Sequence, residues 1–205
     1  FTGAGLIGFA QQRTIKVACI GDSVTYGYGI EDRENNSYPS QLQRMLGEGY
    51  EVGNFGKSGA TLLRKGHRPY MQQQEFADMM KFGGDIAVIH LGLNDTDPRN
   101  WPNYRDEFVE DYLALIDSVR KANPYVRIMI ARMSPITPKH HRFISGTRQW
   151  HSEIQKAIET VAEAAGVRLI DFHQGLYARP DLLPDSLHPN TEGAGILALT
   201  VCSAI

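Results

Sequence analysis

Near the end of the chain, Pro184-Asp185-Ser186-Leu187-His188-Pro189 sets an acid and a histidine three residues apart between two prolines. One turn brings both side chains to one side, where a carboxylate could fix the tautomer of an imidazole and stabilise its protonated form. Such a base needs a hydroxyl to act on. Ser23 is the candidate nucleophile, because Gly21-Asp22-Ser23 directly follows an apolar run and the glycine permits a turn that would expose the serine. Each segment has a second reading. Asp-Ser after a strand also makes an ordinary helix N-cap, and Asp185 could cap a turn with His188 merely preceding a helix.

Two further segments supply what acyl transfer requires. A tetrahedral intermediate needs hydrogen-bond donors aimed at its oxyanion. Asn54-Phe55-Gly56-Lys57-Ser58-Gly59-Ala60-Thr61 is a glycine-bearing loop whose amides could approach a reacting oxygen, and Gly92-Leu93-Asn94-Asp95 offers a neutral carboxamide. The Ser23 amide, the Gly59 amide and the Asn94 side chain would then make three donors.

These residues need a scaffold that delivers them to one edge. Short apolar runs rich in β-branched residues alternate with longer segments of helical period, the pattern of an α/β domain with a parallel sheet. Strands are expected over 15–20, 51–54, 85–91, 127–132 and 167–171, and the first, third and fourth read as buried on both faces. Helices are expected over 38–46, 69–82, 104–122, 146–165 and from 191 onward. In the third, Leu113, Ile116 and Val119 repeat at spacing three, Asn123-Pro124 ends it, and Gly166 closes the fourth. Each chemistry-bearing segment except the last falls just after a strand. Open parallel sheets place their ligands at that edge.

The four blocks Gly21-Asp22-Ser23, Ser58-Gly59, Gly92-Leu93-Asn94-Asp95 and Asp185-Ser186-Leu187-His188, in this order, resemble the SGNH or GDSL hydrolases. The resemblance spans 21–188, nearly the whole chain. It implies a three-layer α/β/α flavodoxin-like fold with a five-stranded parallel sheet in the order 2-1-3-4-5. It also implies Ser23 as nucleophile, His188 as base, Asp185 as the orienter of that base, and an oxyanion hole of Ser23, Gly59 and Asn94. No cofactor and no metal are expected. Val24 stands where the family name implies leucine, at a position that would pack and not react. The Gly-x-Ser-x-Gly elbow of the α/β-hydrolases is absent, which argues against that fold.

Within the family, residues 22–66, with Ser23-Val24-Thr25-Tyr26-Gly27-Tyr28-Gly29 and Ser37-Tyr38-Pro39, look like bacterial carbohydrate O-acetylesterases. They are most similar to the amino-terminal domain of sialate O-acetylesterases, in which a further esterase domain follows. The resemblance implies removal of O-acetyl groups from a carbohydrate, with sialic acid as the expected substrate. The alternatives are an acetylxylan or pectin acetylesterase, a lysophospholipase or thioesterase of the same fold, and a catalytically silent sugar-binding module. A sialic acid carboxylate would suit an arginine, and Arg64, Arg68, Arg99, Arg105 and Arg142 lie in loops or at helix starts. Trp101, Tyr104 and Trp150 could stack a sugar ring, although packing is the commoner role for such side chains.

Composition narrows the partner class. A chain of 205 residues, 42% hydrophobic, suffices for one core without staples, and a net charge of −2 with scattered Lys and Arg leaves no footprint for nucleic acid or an anionic membrane. No run of about 18 apolar residues is present to span a bilayer. Cys19 and Cys202 sit in no metal-binding pattern and read as buried packing residues; His90 with Asp95 and Asp97, and the pair His140-His141, are discounted as metal sites. Residues 1–13 are expected to be an N-terminal arm or a signal-peptide remnant, with Gly8-Phe9-Ala10 resembling a cleavage site, and 14–205 the hydrolase domain. A periplasmic or secreted protein is therefore expected.

Overall fold

The computed structural model describes residues 12–142 and 146–205. The expected arm over 1–13 lies outside that range except for Gln12 and Arg13, and Arg13 binds Asp85 at 2.5 Å.

Five parallel strands form one sheet in the order β2-β1-β3-β4-β5: β1 is Ile15–Gly21, β2 Tyr50–Gly56, β3 Ile86–His90, β4 Arg127–Arg132 and β5 Arg168–Asp171. All five residues of β3, and the last five of β1, are buried. The edge strands β2 and β5 are only partly covered, so the near-continuous apolar runs belong to the middle of the sheet. Helices cover both faces. Helix α3 (Tyr38–Leu46) packs with α9 (Thr191–Ala204) on one side, while α4 (Gln74–Phe82), α6 (Phe108–Ala122) and α7 (Thr147–Ala165) pack in series on the other. Helix α6 buries Phe108, Tyr112, Leu115, Ile116 and Val119 at the three-to-four spacing of a helix face. Among the described residues no helix is long and apolar enough to cross a membrane.

The expected helix bounds change in two places. The segment over 69–82 opens with a 3₁₀ turn at Tyr70–Gln72, and helix begins only at Gln74. The segment over 104–122 is broken: α5 (Trp101–Tyr104) and a 3₁₀ turn at Arg105–Glu107 come before α6. Like α5, three further single-turn helices lack the length to show a period, namely α1 (Ser23–Tyr26), α2 (Arg33–Asn36) and α8 (Gln174–Tyr177). Cys19 is buried as expected; Cys202 is half-buried, and both are free thiols.

Register positions the site. Gly21 lies opposite Gly56 of β2 and His90 of β3, so the three strands finish level and release their chains side by side. There α1 sits directly on the strand ends. A Cβ on Gly56 would stand 2.2 Å from the Tyr26 amide nitrogen, and one on Gly21 would stand 2.7 Å from the His90 carbonyl oxygen. Only glycine admits that approach. Gly56→Ala is therefore expected to destabilise the fold by about 1–3 kcal/mol or more through overpacking against backbone that cannot yield. Urea denaturation checks this, and a cost below about 0.5 kcal/mol would mean that α1 does not rest on the sheet.

Candidate active site

Ser23 is the first residue of α1. Its neighbour Asp22 caps the helix, Oδ1 accepting from the Val24 amide at 2.9 Å. Capping and exposure of the serine are thus one arrangement, since the cap fixes the turn from which Ser23 projects. Ser23 retains 7% exposure and its Oγ lies 2.9 Å from His188 Nε2.

His188 is held by its own turn. Its Nδ1 lies 2.5 Å from Asp185 Oδ2, and Asp185 Oδ1 accepts from the amides of Leu187 at 3.0 Å and His188 at 2.7 Å. Ser186 takes φ +71° to close this turn, and its carbonyl accepts from the Thr137 amide at 2.9 Å. With Nδ1 donating to Asp185, neutral His188 presents Nε2 as an acceptor to the Ser23 hydroxyl. Burial works to raise the Asp185 pKa, but the His188 amide, the His188 ring and the Leu187 amide outweigh it. The net displacement is downward, which keeps the group anionic beside the imidazole.

The other two blocks converge on the same edge. Gly59 adopts φ +80°, a left-handed conformation suited to glycine. Asn94 donates one Nδ2 hydrogen to the Ala60 carbonyl at 3.0 Å, leaving the second hydrogen of that nitrogen for another acceptor. Among the described residues, the Ser23 and Gly59 amides donate to no protein acceptor. The loop bearing Asn94 is bolted to the loop bearing Gly59. Asp95, fully buried, accepts from Leu62 at 2.9 Å and Leu63 at 2.8 Å, and Asn100 donates to the Asn94 carbonyl at 2.8 Å.

Other expected contributors are engaged elsewhere. Arg64 binds Asp111 at 2.6 Å, Arg99 binds Asp97 at 2.9 Å and Arg105 reaches Glu153 at 3.4 Å. Arg68 instead donates to the Ser58 carbonyl at 3.0 Å, beside Gly59. Trp101 is buried against Phe108 and donates to Glu153, while Tyr104 and Trp150 pack on the core. His90 is fully buried in β3. Tyr28, which the sequence carried only as part of the Ser23–Gly29 segment and without a role, is half-exposed and sets its ring 4.6 Å from that of His188. No periodicity marks Tyr28, and only its place in the turn after Ser23 could have drawn notice.

A family model described as the GDSL-like lipase/acylhydrolase family matches residues 19–196. An acetylxylan esterase of Xylanibacter ruminicola is 35% identical over 211 aligned residues, covering 95% of this chain and 44% of that protein. The chain thus spans less than half the length of this curated relative. Among solved structures, the aryl esterase of M. smegmatis superposes with a TM-score of 0.73 at 17% identity, over 93% of this chain and 98% of that one. A carbohydrate acetylesterase from Sinorhizobium meliloti gives 0.68 at 18% identity, again over 93% and 98%. At such identities the likeness speaks for the fold alone.

Asp95 generates a prediction about pH. Burial pushes its carboxyl up to about 7 against the pull of the Leu63 and Leu62 amides, whereas an unfolded chain titrates it near about 3.9. The folded state therefore holds the proton more tightly. Its contribution to stability is full below about pH 4 and is lost as pH rises through about 7. Asp95→Asn is expected to remove that slope and to cost about 1–3 kcal/mol, because its NH₂ group would face a backbone N–H. Denaturation at about pH 5 and about pH 8 measures both effects. A slope unchanged in the variant would refute the assignment.

Proposed function

The chain belongs to the GDSL-like lipase/acylhydrolase family, and on that premise we propose that it is a serine esterase removing O-acetyl groups from a carbohydrate. The observation that carries this reading is the continuous hydrogen-bond series from Ser23 Oγ through His188 to Asp185, set beside Asn94 and Gly59 at one sheet edge.

In this reading His188 Nε2 takes the Ser23 proton as Oγ attacks the ester carbonyl. The imidazolium so formed faces Asp185, and the oxyanion meets the amides of Ser23 and Gly59 and the free Nδ2 hydrogen of Asn94. Collapse expels the sugar hydroxyl, which takes its proton from His188. Water, deprotonated by the same nitrogen, then releases acetate from the acyl-enzyme.

The acetylxylan esterase relative supports a polysaccharide substrate, whereas the likeness of residues 22–66 to sialate O-acetylesterases supports sialic acid. Both are acetylated carbohydrates. Polymers of this kind lie outside the cell, which favours a periplasmic or secreted protein. A further esterase domain beyond this chain remains part of the proposal.

Ser23→Ala is expected to abolish turnover of p-nitrophenyl acetate and stoichiometric labelling by an organophosphonate. Equal rates in variant and parent would sink the esterase reading and leave the sugar-binding alternative. Asn94→Ala is expected to lower kcat by about 10²–10³ with little change in KM, as for loss of one oxyanion donor. Acetate release from acetylxylan, acetylated pectin and O-acetylated sialic acid ranks the substrates, and long-chain acyl esters test the lipase alternative.

A further inference from the structure

Among the described residues, two cations in loops at this sheet edge, Arg68 and Lys139, form no ion pair. Among the described residues the Arg68 side chain makes one hydrogen bond, Nη1 donating to the Ser58 carbonyl, and no carboxylate pairs with it. Its guanidinium lies over Gly59: a Cβ on that glycine would stand 3.2 Å from Nη1 and 3.7 Å from Cζ. The fork is thus anchored beside a proposed oxyanion donor, with further N–H groups unengaged.

Lys139 is the second cation. It lines a cleft of about 530 Å³ together with Thr137, Pro138, Leu183, Pro184 and Ser186. The Thr137 amide bonds to the Ser186 carbonyl, so this wall is fastened to the turn that carries Asp185 and His188. Among the described residues Lys139 forms no ion pair, and Asp181, which also lines the cleft, is taken by Arg179 at 2.8 Å. Sheet order fixes the relation between the two cations. Arg68 follows β2 and Lys139 follows β4, whereas Ser23 and Asn94 follow the intervening strands β1 and β3. The loops that carry Arg68 and Lys139 therefore leave the sheet on either side of those that carry Ser23 and Asn94, in a chain whose net charge is −2.

We propose that the site takes O-acetylated saccharides that carry carboxylates, Arg68 pairing with a carboxylate on or beside the acetylated ring and Lys139 with one further along. This rests on the esterase reading above and narrows its substrate. Uronic and sialic acids share the group recognised. The planar guanidinium matches a carboxylate with two parallel N–H groups, whereas an ammonium acts as a point charge and suits a looser, more distant contact.

The test measures acetate release on acetylated galacturonate oligomers and on the same oligomers methyl-esterified, with O-acetylated sialic acid and its methyl ester as a second arm. At low salt the parent chain is expected to prefer each free acid by about tenfold in kcat/KM, chiefly through KM, and to lose much of that preference at about 0.5 M salt. Arg68→Gln brings the acid-to-ester ratio to within about twofold of one, Arg68→Lys restores part of it, and Lys139→Met lowers it on oligomers alone. Taking the ratio within each variant removes any general loss from the Gly59 loop. The arm with the larger ratio identifies the source of the carboxylate. A parent that cleaves the methyl ester as fast as the acid, or a preference that survives Arg68→Gln, overturns the inference while leaving the esterase intact. Failure on p-nitrophenyl acetate as well overturns both.

Discussion

A backbone amide that leaves a buried sheet loses its ladder partner and must find another acceptor, because an unpaired buried N–H costs about 1–3 kcal/mol. At the carboxyl edge of this sheet side-chain oxygens fill that need. Asp22 takes the amide of Val24, Asp95 those of Leu62 and Leu63, Asn100 that of His67, and Asp185 those of Leu187 and His188. These bonds fix the course of every loop that brings a reactive group to the site. The polar residues that make the edge foldable are thus the neighbours of those to which the proposed chemistry is assigned.

This is why the sequence could be read so far and no further. Strand positions followed from apolar runs, whereas strand order and the grouping of Ser23, Gly59, Asn94 and His188 came from the family resemblance that the four ordered blocks carry. Two capping alternatives, at Asp22-Ser23 and at Asp185, proved compatible with the chemical arrangement, because one carboxylate oxygen caps while its neighbour or its partner atom serves the site. Single-turn helices such as α1 and α5 stayed hidden, since four residues show no period. The loading of the arginines was equally illegible. Asp111 and Glu153, which engage Arg64 and Arg105, lie more than 45 residues away along the chain.

Burial sorts the histidines. The Ser134 amide donates to Nε2 of His90 at 3.1 Å, so the neutral ring carries its proton on Nδ1, which faces Asp22 Oδ1 at 3.7 Å. His151 lies 3.1 Å from the Ser134 carbonyl, and burial pushes its pKa down to about 4. Both rings act as uncharged struts beneath the strand ends. His188 differs in having a carboxylate at 2.5 Å and a side chain still 16% exposed, so a positive charge arising on it has both a counter-ion and access to solvent. The distinction between these two struts and His188 is one of environment, and it is absent from the residue type.

The two halves of the site are also built to different stiffness. The Asn94 side is buried and cross-tied: Asn94 is 5% exposed, its side chain is bonded inward to Ala60, and the adjoining Asp95 grips the opposite loop at two amides. Donors held in this way need no reorganisation when charge develops, and that is the condition for electrostatic stabilisation to lower a barrier. The Asp185–His188 side is a four-residue turn between prolines, closed by Ser186 at φ +71°, a conformation costing about 1 kcal/mol or more for a residue with a side chain. Three hydrogen bonds to Asp185 and one from Thr137 offset that cost. The same carboxylate thus both holds the turn, through the Leu187 and His188 amides, and bonds the imidazole that reaches Ser23, so one group fixes the turn and the place of His188 together.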